Sequence, residues 1–376
     1  MMTNDSHASR LAGPRLRTLV SQQISSTNTS ANTSANTSAN TSANTNTFAD
    51  REPILGVNEF GSSVGIFSDG TAWVLLTARH EFGLGPAMIW ALRHNATELK
   101  LFTEHNASDL ARRASFFTFK IEVFEIINET RAGVGTVPAL PHAVPALPCT
   151  VSMKEISTAD ESFTSFILSG GAEITREHGV LAGEVCGLEV CRVVHETADS
   201  QVVESRLEIG VGTHDRETFQ LLHGRTATIE SLRKVVDEVA AKRIVGANPH
   251  PLNQLGRERL LRHLICASPH LVDAVSLQTV APPMPRANLK DQVPCCAMGV
   301  ARDGRVLVAI FSIGIDPDVI SFGADARQAL DDQADLVFVS PQRDIVPAIV
   351  QLGELLRVPA RFVGCNLLDA PTRHQD

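Results

Sequence analysis

The stretch VGIFSDGTAWVLL at residues 64–76 aligns without a gap to MGVARDGRVLVAI at residues 298–310, pairing Gly65 with Gly299, Asp69 with Asp303, Gly70 with Gly304 and Val74 with Val308. Each copy has two apolar, strand-prone runs joined by Asp-Gly, a dipeptide suited to the positive φ angles of a tight hairpin turn. The likeness extends outward. After the first hairpin come a helical stretch PAMIWALRHNA, a strand LKLF, a helix SDLARRASFF opened by Ser108, and a strand KIEVFEII. After the second come SFGADARQALDDQA, DLVFV, DIVPAIVQLGELL and ARFVG. Both copies read as ββαβαβ, a small module whose mixed sheet is covered by helices.

A different unit lies between them. VPALPHAVPALP at residues 137–148 reads as a stiff, extended linker. GVLAGEVCGLEVCRVV and VVESRLEIGVG read as two antiparallel strands separated by the polar HETADSQ. Two helices follow. TIESLRKVVDEVAAKRI has Thr228 as N-cap and Ile229, Leu232, Val236 and Val239 on one face; LNQLGRERLLRHLICA comes next, and Pro282, Pro283 and Pro285 close the unit. The fold class expected is α/β, α+β overall: two similar ββαβαβ modules flanking a middle α+β domain. Its parts are a disordered tail over 1–50, a first module over 51–130, a Pro-rich linker over 131–165, a middle domain over 166–290 and a second module over 291–376. The tail is inferred from NTSANTSANTSANTSANTNT at residues 28–47, a repeat too polar to offset chain entropy by burial.

With 376 residues, 43% apolar and 20% charged, the chain has the composition of a globular protein of two or three domains. Its net charge of -9 argues against a surface basic all over, as a nucleic-acid coat would be. Basic charge is concentrated instead: residues 216–290 hold 11 Lys or Arg against 6 Asp or Glu. The seven cysteines have neither zinc-ligand spacing nor the pattern of a secreted disulfide framework, so all seven are expected to be buried, unreactive thiols in a reducing cytoplasm. The longest apolar run, near residues 306–315, is about half the ~20 residues that a bilayer requires, so no membrane contact is expected.

Two sets of side chains stand out as candidate sites. Arg259, Arg262 and His263 recur at helical spacing and would share one exposed face, with Lys290 nearby; such a stripe suits nucleic-acid phosphates. The second set surrounds RLEIGVGTHDRE, residues 206–217. Glu189, Glu208, His214 and Asp215 would hold a divalent cation such as Mg if they converge at the ends of adjacent strands. A plainer account explains two of these residues cheaply: Asp215 caps a helix that starts at RETFQLLHG, with Glu217 in its first turn. Two functions follow, a non-catalytic intracellular protein binding nucleic acid or a protein partner through a basic middle domain, and a metal-dependent, nuclease-like hydrolase.

The stretches LARRASFF, GEVCGLEVCRVV, LEIGVGTHDRE, PHPLNQLGRERLLR, NLKDQVP and FSIGIDPDVISFGADAR, in this order, resemble those of a conserved, uncharacterised actinobacterial family. That resemblance spans most of residues 55–365 and implies no activity. The order of elements in each module is also similar to the back half of the restriction-endonuclease-like nucleases. Those enzymes carry an acid on one strand and Glu-x-Lys on the next. Here the corresponding strands, WVLLTAR and VLVAIFS, have neither, so the resemblance implies modules without a metal site.

Overall fold

The computed structural model describes residues 12–24, 56–77, 83–131, 135–138, 141–146, 154–197, 203–224, 226–244, 250–285 and 292–368. The chain divides into two compact units, 1–148 and 149–376.

The first unit opens with a helix where only tail was expected. Residues 12–24 are helical (α1), and Ala12, Leu16, Leu19 and Val20, spaced as one helical face, are buried. The NTSA repeat lies outside the described residues. The polar repeat masks a short apolar period in RLAGPRLRTLV, with Pro14 tolerated because it falls in the first helical turn. Then come β1 (Asn58–Phe60), β2 (Ser63–Ser68), β3 (Thr71–Leu76), α2 (Leu84–Arg93), β4 (Glu98–Thr103), α3 (Ala107–Ala114) and β5 (Lys120–Glu125). Beyond them lie the short pair β6 (Asn128–Arg131) and β7 (Gly135–Pro138), and β8 (His142–Ala143). The main sheet has the order β1-β2-β3-β4-β5-β8, antiparallel through the hairpin and parallel from β3 to β5. α1 covers the face made by Val64, Ile66, Trp73, Leu75, Phe102 and Phe124. Trp90 of α2 lies against Gly65, where a Cβ would stand 2.7 Å from its ring. The Pro-rich stretch is not a free linker, because β8 within it pairs with β5.

The second unit holds two sheets. α4 (Thr158–Glu161) and α5 (Thr164–Ser169) lead to β9 (Glu173–Glu177), β10 (Val180–Val185), β11 (Leu188–Thr197) and β12 (Val203–Ile209), an antiparallel sheet in the order β12-β11-β10-β9. Tight turns at His178-Gly179 (φ 53° and 78°) and Cys186-Gly187 (φ 47° and 72°) join β9 to β10 and β10 to β11. The expected single strand GVLAGEVCGLEVCRVV is therefore two strands, and β9 precedes them. α6 (Gly212–His223) and α7 (Ile229–Lys242) follow. Thr228 caps α7 as expected, in a reciprocal pair with Ser231, and Leu232, Val236 and Val239 pack beneath the sheet against Leu181, Val190 and Leu207.

α8 (Arg257–Ala267) and β13 (Ala274–Val280) were expected in the middle domain, yet they help to build the last sheet. That sheet runs β13-β14-β15-β16-β17, with β14 (Cys295–Ala301), β15 (Val306–Phe311), α9 (Val319–Leu330), β16 (Asp335–Pro341), α10 (Pro347–Glu354) and β17 (Ala360–Cys365). Leu261 and Ile265 of α8 cover the face formed by Ala297, Leu307, Ala309, Phe311 and Val337. Both units thus share one order, αβββαβαβ, larger than the repeat legible in the hairpins. The gapless alignment holds at the turn glycines but not across the strands. The first turn is the two residues Asp69-Gly70, whereas Ala301 N–H donates to Arg305 O (2.9 Å), making the second turn the three residues 302–304. Gly65 consequently faces Val74 while Gly299 faces Leu307, a slip of one that reverses the faces of β14 relative to the alignment.

Candidate functional site

The antiparallel sheet buries one face on α5 and α7 and turns a charged face the other way. Cross-strand pairing sets Glu173 beside Glu184 and Glu184 beside Glu189, three like charges in one row. Such a row is destabilising unless cations intervene. Four arginines and a histidine supply them.

Arg259 of α8 bridges Glu177 and Glu184, and Arg262, one turn on, bonds the same two carboxylates at 2.9 and 3.2 Å. The Arg262 side chain is only 1% exposed and that of Arg259 12%. Burial alone would raise the Glu177 carboxyl, and the two guanidinia outweigh it, holding it below the usual range. His263 Nδ1 lies 3.0 Å from Glu173. The expected phosphate stripe is therefore no exposed face: its arginines are consumed by the glutamates beneath them. Lys290 lies outside the described residues.

On the other half of the sheet, a bulge arranges the ions. The register steps from Glu184 opposite Glu189 to Gly183 opposite Cys191, so Val190 is an extra residue. Strict alternation would place Glu189 and Arg192 on opposite faces. The extra residue returns Arg192 to the side of Glu189, and two 2.7 Å bonds join them. Arg216 of α6 then reaches Glu189 (3.1 Å) and Glu208 (3.2 Å), while Arg206 bonds Glu208 at 2.6 Å.

Glu189 and Glu208 thus do meet, around a guanidinium. His214 is exposed on the first turn of α6. Asp215 accepts from Val211 N–H at 2.7 Å, tying down the start of the helix. The helix begins at Gly212, three residues before the expected cap, so Asp215 stabilises it from inside the first turn rather than as N-cap. Among the described residues, no three His, Cys, Asp or Glu side chains are arranged to hold a metal ion.

A cleft of about 720 Å³ opens on this charged face. Its floor includes Glu177, Glu184, Glu189 and Arg192; the start of α6 (Gly212, Thr213, His214) and Arg216 form one wall, and Leu255 and Arg259 are also in the lining. The lining carboxylates already accept from guanidinia, whereas Arg192 and Arg216 retain N–H groups beyond those bonds, and the first-turn N–H groups of α6 lack intrahelical acceptors. The unspent hydrogen-bonding capacity on that side of the cleft is mostly donor.

Sequence reasoning missed Arg243. Its guanidinium, 1% exposed as a residue, donates to Cys186 O (3.0 and 2.9 Å), Leu252 O (2.7 Å), Leu255 O (2.6 Å) and Gly256 O (3.2 Å). It fastens the Cys186-Gly187 turn to the approach to α8. Gly187 must remain glycine there, since a Cβ would stand 2.3 Å from Arg259 O. No described helix is long and apolar enough to cross a membrane. Comparisons with protein families, curated proteins and solved structures give no match to this chain.

Proposed function

We propose that the chain is a non-catalytic binding protein and that the cleft over the antiparallel sheet receives an acidic segment of a protein partner. The observation that carries this reading is the donor surplus: the floor carboxylates are engaged by arginines, while Arg192, Arg216 and the start of α6 line the cleft with N–H groups beyond those bonds. A concave site of this size suits a few residues of an extended chain better than the breadth of a duplex, and the burial of Arg259 and Arg262 removes the cations that a nucleic acid would have used. The alternative, a Mg-dependent hydrolase built on Glu189, Glu208, His214 and Asp215, would require a metal to displace Arg216 from two carboxylates.

Fluorescence anisotropy with a labelled Asp/Glu-rich peptide and with single-stranded and duplex oligonucleotides, at low salt, tests this. Peptide binding that Arg192→Ala weakens roughly tenfold, the scale of one charged hydrogen bond, is expected. Binding of oligonucleotides alone, or Mg-dependent cleavage lost in Glu189→Gln, would overturn it.

A further inference from the structure

The helix that walls the cleft carries a further feature on its outer side. Arg216 and Gln220 tie α6 to the antiparallel sheet by bonds to Glu208 (3.2 and 2.7 Å), and Phe219 packs against the apolar core, which fixes the inward face of the helix. His214, Thr218 and Leu221, spaced four and three residues apart, share the opposite face and are all exposed. His214 belongs to the cleft lining. Two turns further on, Leu221 is 86% exposed and its neighbour Leu222 74%, the two most exposed large apolar side chains among the described residues. Neither belongs to the apolar core beneath the sheet, and Lys, Gln or Arg would serve the helix as well, so local structure gives no reason for leucine at either place.

We propose that the Leu221-Leu222 pair docks an apolar side chain of the same protein partner whose acidic residues enter the cleft; this rests on the reading of the cleft given above. Charge divides the surface of α6 into two ends. The start of the helix offers N–H groups to a carboxylate, whereas Glu217, exposed one turn before Leu221, repels one. Acidic residues are thereby confined to the cleft, and what lies beyond Glu217 suits an uncharged, apolar residue. The rise from His214 to Leu221 is about 10 Å, a distance that an extended segment covers in about three residues. The recognition sequence is therefore a run of acids with Leu, Ile or Phe about three residues away. Covering two bare leucines with such a side chain should tighten binding roughly tenfold.

The experiment uses the full chain and two labelled peptides in fluorescence anisotropy: an Asp/Glu run flanked by Gly and Ser, and the same peptide with Leu placed three residues from the last acid. The leucine peptide should bind roughly tenfold more tightly, and moving its Leu to seven residues away should remove most of that gain. In the double variant Leu221→Ser, Leu222→Ser the two peptides should bind alike, with the affinity of the leucine-free peptide kept within about twofold, which also shows that the cleft is still folded. Arg192→Ala should weaken both peptides. Equal affinity of the two peptides for the native chain, or a gain that survives the double replacement, would overturn this inference and leave the cleft reading standing. Failure of both peptides to bind the native chain would overturn both.

Discussion

The two αβββαβαβ arrays differ in what their first helix does. α1 acts mainly through its apolar face, where Ala12, Leu16, Leu19 and Val20 cover the open side of its sheet, with Arg15 paired to Glu104 and Gln23 bonded to Pro141 O from its flanks. α8 covers the equivalent side with Leu261 and Ile265, and from its remaining surface sends Arg259, Arg262 and His263 into the glutamates of a second sheet. The same architectural slot thus acts as a lid in one copy and as a rivet in the other. Residues usually placed in solvent become interior once the neighbouring surface has opposite charge, and the antiparallel sheet joins its array as one compact unit.

Breaking the rivet should have the largest effect. Arg262→Ala leaves Glu177 and Glu184 short of a cation in a buried site and should cost about 3–5 kcal/mol of the stability of the second unit, measured by urea unfolding. Replacing Glu177, Glu184, Arg259 and Arg262 together by well-fitting apolar residues should cost far less. If the quadruple variant is as unstable as the single one, packing rather than charge pairing holds α8 in place.

Next in size is the lid. Leu16→Ala should cost about 2–4 kcal/mol, and deletion of residues 1–24 should destabilise the first unit at least as much. An unchanged melting temperature would return α1 to the status of a tail. Gly187→Ala sharpens the rivet at its tightest point, where φ is +72° and Arg259 O blocks a side chain; about 1–3 kcal/mol is expected from backbone strain alone.

The smallest effect is on pH dependence. His263 lies above its ordinary value of 6.5, so its contribution is complete below 6.5 and is lost as pH rises through about 10. Glu161, held to about 2 by its hydrogen bond to Arg176, acts with the opposite sign: present above 4.5, lost as pH falls through about 2. Thermal unfolding between pH 6 and 10 should show an alkaline decline in the native chain that His263→Gln flattens.

The Asp-Gly hairpins, the parallel strands after them and the α7 cap were legible because each depends on residues close in sequence. The four-residue ion cluster was not, since Glu177 and Glu184 lie about eighty positions from Arg259 and Arg262, and helical spacing alone reads the arginines as a solvated face. A usable signal existed in the match between a run of glutamates on successive strands and a run of arginines on one later helix. Cys186-Gly187 was a turn signal inside an apolar stretch, overridden by the continuity of the hydrophobic run. β13 carried no local mark of its sheet, because pairing with β14 was decided beyond the segment itself.

The extra residue at Val190 bears on how this sheet tolerates changes of length. A chain lacking it would alternate regularly through Leu188, Glu189, Cys191 and Arg192, leaving the side chains of β10, β11 and β12 on the faces they occupy now. Deletion of one residue at this point is therefore phase-neutral, whereas elsewhere in the same strand it would exchange inside for outside. Relatives differing in length here can keep the same charged face.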